Sequence, residues 1–166
     1  MKKLNILVFV ITLFFSCQTQ NKPETVNIKR ITLSYGHTMS QQSLVVHIEK
    51  YQQDNIHVNY KYVPLGAANS DDYKFTSYHI DTDKFNKIVA TILKIDRANI
   101  EKEAETIGLD GSSTSISFYE KGKNTILNTY SIWSPDYNTQ QRKLDDYIYA
   151  YKELVKLARM EADSLF

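Results

Sequence analysis

Leu44-Val45-Val46-His47-Ile48-Glu49, followed by Asn55-Ile56-His57-Val58-Asn59-Tyr60-Lys61-Tyr62-Val63, decides the fold. Both segments alternate apolar and polar residues, the period-two pattern of strands with one buried face. Tyr51-Gln52-Gln53 between them reads as the turn of a hairpin. Matching the apolar positions sets Leu44 against Tyr60, Val46 against Val58 and Ile48 against Ile56. The other face then pairs Val45 with Asn59, His47 with His57 and Glu49 with Asn55. One apolar and one mostly polar face is expected of an antiparallel pair packed on a core from one side only.

Outward from this hairpin, Val26 to Tyr35 is rich in β-branched residues and reads as a preceding strand. Gly36 to Gln42 and Gly66 to Asp72 are loops of turn formers. Tyr73 to Ile80 is a fourth, weaker strand. A helix capped by Asp81 or Thr82 follows, with Phe85, Ile88, Val89, Ile92 and Leu93 at the spacing of a buried stripe. Arg97 to Ile107 reads as a short second helix ending at Gly108. Ser115 to Glu120 and Thr125 to Trp133 form a second hairpin across Lys121-Gly122-Lys123. Thr139 to about Asp163 is a long closing helix. Its stripe is Leu144, Ile148, Tyr151, Val155, Ala158 and Ala162, with Tyr147 and Leu154 beside it. The expected class is α+β: an antiparallel sheet of about six strands with two or three helices packed on one face, in the order β-β-β-β-α-(α)-β-β-α.

Residues 1–16 have a different character. Lys2 and Lys3 give a positive head, and Leu4 to Phe15 is apolar apart from Asn5 and Thr12. That run of about a dozen residues is short of the roughly 20 a spanning helix needs, and it fits a secretory signal. Its end, Phe14-Phe15-Ser16-Cys17, resembles the lipobox of bacterial lipoproteins. Ser16 and Cys17 match it, while Phe14 stands where Leu is usual and Phe15 is bulky for its position. The resemblance implies cleavage before Cys17, lipid on its sulfur, and a membrane anchor. The expected organisation is a signal at 1–16, a lipidated tether at 17–25 and one globular domain at 26–166. Gln18 after the cysteine lacks the Asp that resembles an inner-membrane retention signal, which favours the outer membrane. A periplasm-facing domain is expected. The first strand, Ile31 to Gly36, also resembles the opening of small bacterial domains that close on a long helix, and this implies no activity.

Cys17 is the only cysteine, so no intrachain disulfide exists. Loss of residues 1–16 removes Lys2 and Lys3 from the 20 basic residues, leaving 18 against 19 acidic and a formal charge of −1. That balance gives no general basic surface for nucleic acid, and no nucleic-acid partner is expected.

Candidate chemistry is sparse. His47 opposite His57 would place two imidazoles about 5 Å apart at their β-carbons, and His79 could join them if the fourth strand pairs with the third. These three are the metal candidates, but with no cysteine ligand and no HExxH motif the expected reading is a solvated pair and no metal. Asp71-Asp72 falls in a loop, Asp145-Asp146 near a helix start, and Glu101, Glu103 and Glu105 on a solvated helix, all ordinary structural places for acids. There is no GxSxG, GxGxxG or Walker loop, so no catalytic residue or cofactor is assigned.

Tyrosine is the unusual residue, at 12 positions. Tyr60, Tyr62, Tyr147 and Tyr151 are expected at the core; Tyr35, Tyr51, Tyr73, Tyr137 and Tyr149 near loops or on polar faces. Trp133, Tyr137, Tyr149 and Tyr73 are the partner-binding candidates, because exposed aromatics are favoured at protein interfaces. The expected function is a non-catalytic, protein-binding envelope lipoprotein, in its concrete form an immunity-type inhibitor of a periplasm-acting toxin. The competing readings are a structural or assembly component of the envelope, and a metal-dependent enzyme using His47 and His57.

Overall fold

The apolar alternation read above becomes one sheet. The computed structural model describes residues 27–37, 41–104, 111–130 and 143–165. Its strands are β1 (Ile28–His37), β2 (Ser43–Gln52), β3 (Asn55–Val63), β4 (Lys74–Ile80), β5 (Ser112–Glu120) and β6 (Lys123–Tyr130). Its helices are α1 (Thr82–Ile92), α2 (Arg97–Ala104) and α3 (Asp145–Leu157). The α+β class and the element order are as expected.

The six strands lie in the order β4-β3-β2-β1-β5-β6, and all neighbours are antiparallel. Four strands meander outward from β1 to β4; the chain then returns through α1 and α2, and the hairpin β5–β6 docks on the free side of β1. β1 is thus central, and its Ile31 and Leu33 are fully buried. The returning helices cover the apolar face. Ile31, Leu33, Leu44, Val46, Ile48, Ile56, Val58, Ile116 and Phe118 meet Phe85, Ile88 and Ile92 of α1, Ile100 of α2, and Tyr147, Tyr151 and Leu154 of α3 in one core.

The β2–β3 register differs from the expected one by two residues. Leu44 pairs with Tyr62, Val46 with Tyr60, Ile48 with Val58, and His47 with Asn59. A slip of two leaves every side chain on its own face, so hydrophobic alternation is blind to it. Turn geometry decides. Gln52 pairs with Asn55, leaving the two-residue turn Gln53-Asp54, and the register shifts between Lys50 and Gln52 so that Tyr51 is bulged out. The β5–β6 hairpin needs no such adjustment. Glu120 pairs with Lys123, and Lys121 and Gly122 both take positive φ, 50° and 84°. That is the type I′ geometry whose twist suits a tight hairpin, and Gly122 adopts it without steric cost.

Helix ends follow local chemistry. Asp81 caps α1, its carboxylate accepting from the Lys84 amide at 2.6 Å. Leu93 was expected in the α1 stripe but is the C-cap and is more than one-third exposed. α3 ends at Leu157, short of the expected boundary near Asp163. Arg159 has φ of 57°, and the amides of Ala158 and Arg159 turn back tightly to the carbonyls of Val155 and Lys156. A short 3-10 turn, Ala162–Leu165, completes the described chain. The expected helical residues 139–142 and 105–107 and the strand end 131–133 lie outside the described residues, as do the signal and tether.

Tyrosine hydroxyls tie the end of the chain to the sheet. Tyr78 donates to the Leu157 carbonyl and Tyr35 to the Leu165 carbonyl, each at 2.5 Å. Both carbonyls lie in the last turn of a helical segment and lack helical partners of their own. Tyr35, expected on a loop edge, is therefore a core residue only 2% exposed. Tyr147 reaches Thr114 at 3.2 Å, and Thr114 shares a 2.7 Å hydrogen bond with Thr129. This buried polar trio anchors α3 to β5–β6.

Candidate functional site: the open face of the sheet

Helices cover one face only. The other face presents alternate residues of all six strands, and pairing aligns them in rows across the sheet. One row runs His79, His57, Glu49, Arg30, Tyr119 and Asn124. The next runs Ser77, Asn59, His47, Thr32, Ser117 and Ile126. A third runs Phe75, Lys61, Val45, Ser34, Ser115 and Asn128.

Eight large hydrophobic residues are exposed among those described, and five of them are on this face: Val45 (38%), Tyr51 (60%), Phe75 (63%), Tyr119 (39%) and Ile126 (53%). A solvated sheet face is expected to be polar outward, so this concentration is the informative departure. Toward the β3–β4 edge, the Lys61 ammonium lies 4.9 Å from the Tyr73 ring centroid and 5.5 Å from that of Phe75. On β1, β5 and β6 the face dips into a shallow groove of about 370 Å³ whose rim includes Ser34, Ser113, Ser115, Asn128 and Tyr130.

A polar network occupies the centre of the first row. Glu49 accepts from Arg30 at 2.9 Å and from the bulged Tyr51 hydroxyl at 2.7 Å, and the His47 Nε2 is 3.8 Å from its second oxygen. His47 is held from its other side by Thr32, with Nδ1 2.8 Å from the hydroxyl. The Arg30 and Tyr51 hydrogen bonds hold the Glu49 carboxyl below its ordinary range. The same carboxylate pushes Arg30 and Tyr51 upward. Tyr51 also sets its ring edge-on to His57 at 5.3 Å, so the bulge fixes one side chain of the network and one neighbour at once.

The histidines are rearranged relative to the expectation. His47 and His57 do not face each other, because the register places Asn59 opposite His47 and Glu49 opposite His57. β4 does pair with β3, and it brings His79 directly opposite His57, with ring centroids 3.9 Å apart. Among the described residues, no group of three or more His, Asp or Glu side chains is placed to hold a metal ion.

The aromatic candidates separate. Tyr73 sits at the β4 edge of the open face, 6.4 Å from Phe75. Tyr149 is exposed on α3, over a separate groove of about 250 Å³ beside Lys87, Thr91 and Lys94 of the α1 side. Trp133 and Tyr137 lie outside the described residues, as does Cys17. Sequence reasoning missed Val45, Phe75, Tyr119 and Ile126. The signal was present: Leu44-Val45-Val46 and Ile126-Leu127 put apolar residues at consecutive strand positions, which forces one of them onto the solvent side.

Two of the acidic pairs lie at turns or helix starts. Asp72 accepts from the Ala68 and Asn69 amides at 3.1 and 3.3 Å, and Asp145 and Asp146 occupy the first turn of α3. No helix among the described residues is long and apolar enough to cross a membrane. No family model matches the chain, and no curated protein matches it.

Proposed function

We propose that this chain is a non-catalytic envelope lipoprotein that binds another protein through the open face of its sheet. The observation that carries the reading is the gathering of Val45, Tyr51, Phe75, Tyr119 and Ile126 on that one face. Strands spaced about 4.8 Å apart, with four outward positions each, make a platform on the order of 500 Å². That is near the roughly 800 Å² per partner of an ordinary specific interface, so the face nearly suffices alone.

Charge narrows the partner. At the described outward strand positions Arg30 and Glu49, the one carboxylate, pair with each other, which leaves Lys61 as the uncompensated formal charge, beside the imidazoles of His47, His57 and His79. The complementary partner presents an apolar centre with acidic groups at its rim. A periplasm-acting toxin with such a surface, neutralised by this domain, is the concrete form. Lipidated Cys17 would hold the domain at the outer membrane, on the side the toxin reaches.

The test combines Val45→Ser, Phe75→Ser and Ile126→Ser. Wild-type protein recovered from membranes should carry one stoichiometric partner. The purified partner should rebind one to one, more weakly at high salt. The triple variant should keep its circular dichroism and lose the partner. Undiminished binding by a folded triple variant would remove the open face from the proposal. Cys17→Ser should release the chain from the membrane fraction, and full sedimentation with membranes would end the lipoprotein reading.

A further inference from the structure

We infer that His57 and His79 form a two-ligand surface site for a divalent late transition ion, Cu²⁺ or Zn²⁺. The inference is independent of the protein-binding proposal. The two residues are directly paired across β3 and β4, and their rings sit 3.9 Å apart, centroid to centroid, with their planes inclined by 54°. Two nitrogens bound to one metal at about 2.0–2.1 Å in tetrahedral geometry stand about 3.4 Å apart, a separation that rings this close reach by small χ rotations.

The surroundings favour ligation over the alternatives. No hydrogen bond joins either imidazole to another described residue, so no described residue occupies their nitrogens. Tyr51 packs edge-on against His57 and limits the orientations of that ring. Both rings are on the solvated face, one of them on the sheet's edge strand, so an ion reaches them without any opening of the core. Imidazole is a ligand suited to copper and zinc, and copper binds more tightly at a given nitrogen site.

The neighbours explain why the site stops at two protein ligands. Glu49 lies across from His57, and its hydrogen bonds from Arg30 and Tyr51 orient the carboxylate within its own network. His47 is turned toward Glu49 and held by Thr32. The remaining coordination positions are left to water or to a group from outside the chain. That makes the site an open one, unlike a closed structural zinc centre.

The experiment is calorimetric titration of the untagged full-length chain in detergent with Cu²⁺ and, separately, Zn²⁺. Wild type should bind one equivalent, copper more tightly than zinc. His57→Ala and His79→Ala should each weaken binding by at least about tenfold, since even outer-shell changes cost 10–100-fold at metal sites. His47→Ala should bind as wild type. His79 is exposed on an edge strand, so His79→Ala tests the site without disturbing the core. The inference fails if wild type binds no more tightly than the His57→Ala/His79→Ala double variant. It fails equally if His47→Ala loses as much affinity as His79→Ala, because the ion would then sit on the Glu49 network.

Discussion

The two faces of the sheet are built from the same strands yet obey different rules. On the covered face, Leu44, Val46, Ile48, Ile56 and Val58 are fully buried, and Thr114, Thr129, Tyr147 and Tyr78 place their hydroxyls in hydrogen bonds to one another or to a helix end. On the open face, apolar side chains sit exposed between histidines, serines and an ion-pair network. The first face answers to packing, where each methylene removed is felt. The second answers to whatever meets it from outside. The difference teaches that the packed core lies on one side of the layer and the exposed apolar side chains gather on the other.

Substitutions can break that division in order of size. Ile48→Ala on the covered face should cost about 2–5 kcal/mol in urea unfolding, the usual range for a buried Ile truncated in a packed core. A loss below about 1 kcal/mol would mean the covered face is not the main source of stability.

Alkaline pH attacks the same face through its tyrosines. Burial raises Tyr147 from 10.0 to about 12, and burial likewise raises Tyr35 to about 12. The unfolded chain ionises first, so this stability is fully present below about pH 10 and is lost as pH rises toward 12. For Tyr147, which is 1% exposed, two units correspond to up to about 3 kcal/mol. Tyr147→Phe should be slightly less stable at neutral pH, by about 1 kcal/mol for the lost hydrogen bonds, and less sensitive to alkali. Tyrosinate absorbance followed beside circular dichroism checks the order of events. Free titration of every tyrosine near pH 10 in folded protein would contradict the burial.

Tyr35→Phe removes the bond to the Leu165 carbonyl and should cost about 1 kcal/mol. Its clearer effect is local: amides of the Ala162–Leu165 turn should exchange faster while those of β1 do not. Equal acceleration in both would show that the hydroxyl supports the whole sheet.

The smallest effect belongs to the open face. Val45→Ser with Ile126→Ser should change unfolding stability by less than about 0.5 kcal/mol. A loss above about 2 kcal/mol would show that these side chains are packed in solution, and the contrast between the faces would collapse.

The strands and the α1 stripe were legible because burial on one side writes a period into the chain. The open-face site was half legible. Its histidines and Tyr73 were singled out from the sequence, and His79 does join His57 across β3 and β4, but His47 was set opposite His57 wrongly, because a two-residue register shift preserves every face and changes every cross-strand neighbour. Tyr35 was misplaced because a tyrosine near a strand end looks alike whether its hydroxyl meets water or the carbonyl of a residue 130 positions away.

The sequence by itself determined the elements, which side of each strand is apolar, a helix cap at Asp81 or Thr82 and a hairpin turn around Lys121-Gly122-Lys123, since all of these are set by residues near one another in the chain. The tertiary structure alone decided the strand order that makes β1 central, the bulge at Tyr51, and the meeting of His57 with His79. Those depend on how distant segments are paired, and many pairings satisfy the same local pattern until the core is closed on one of them.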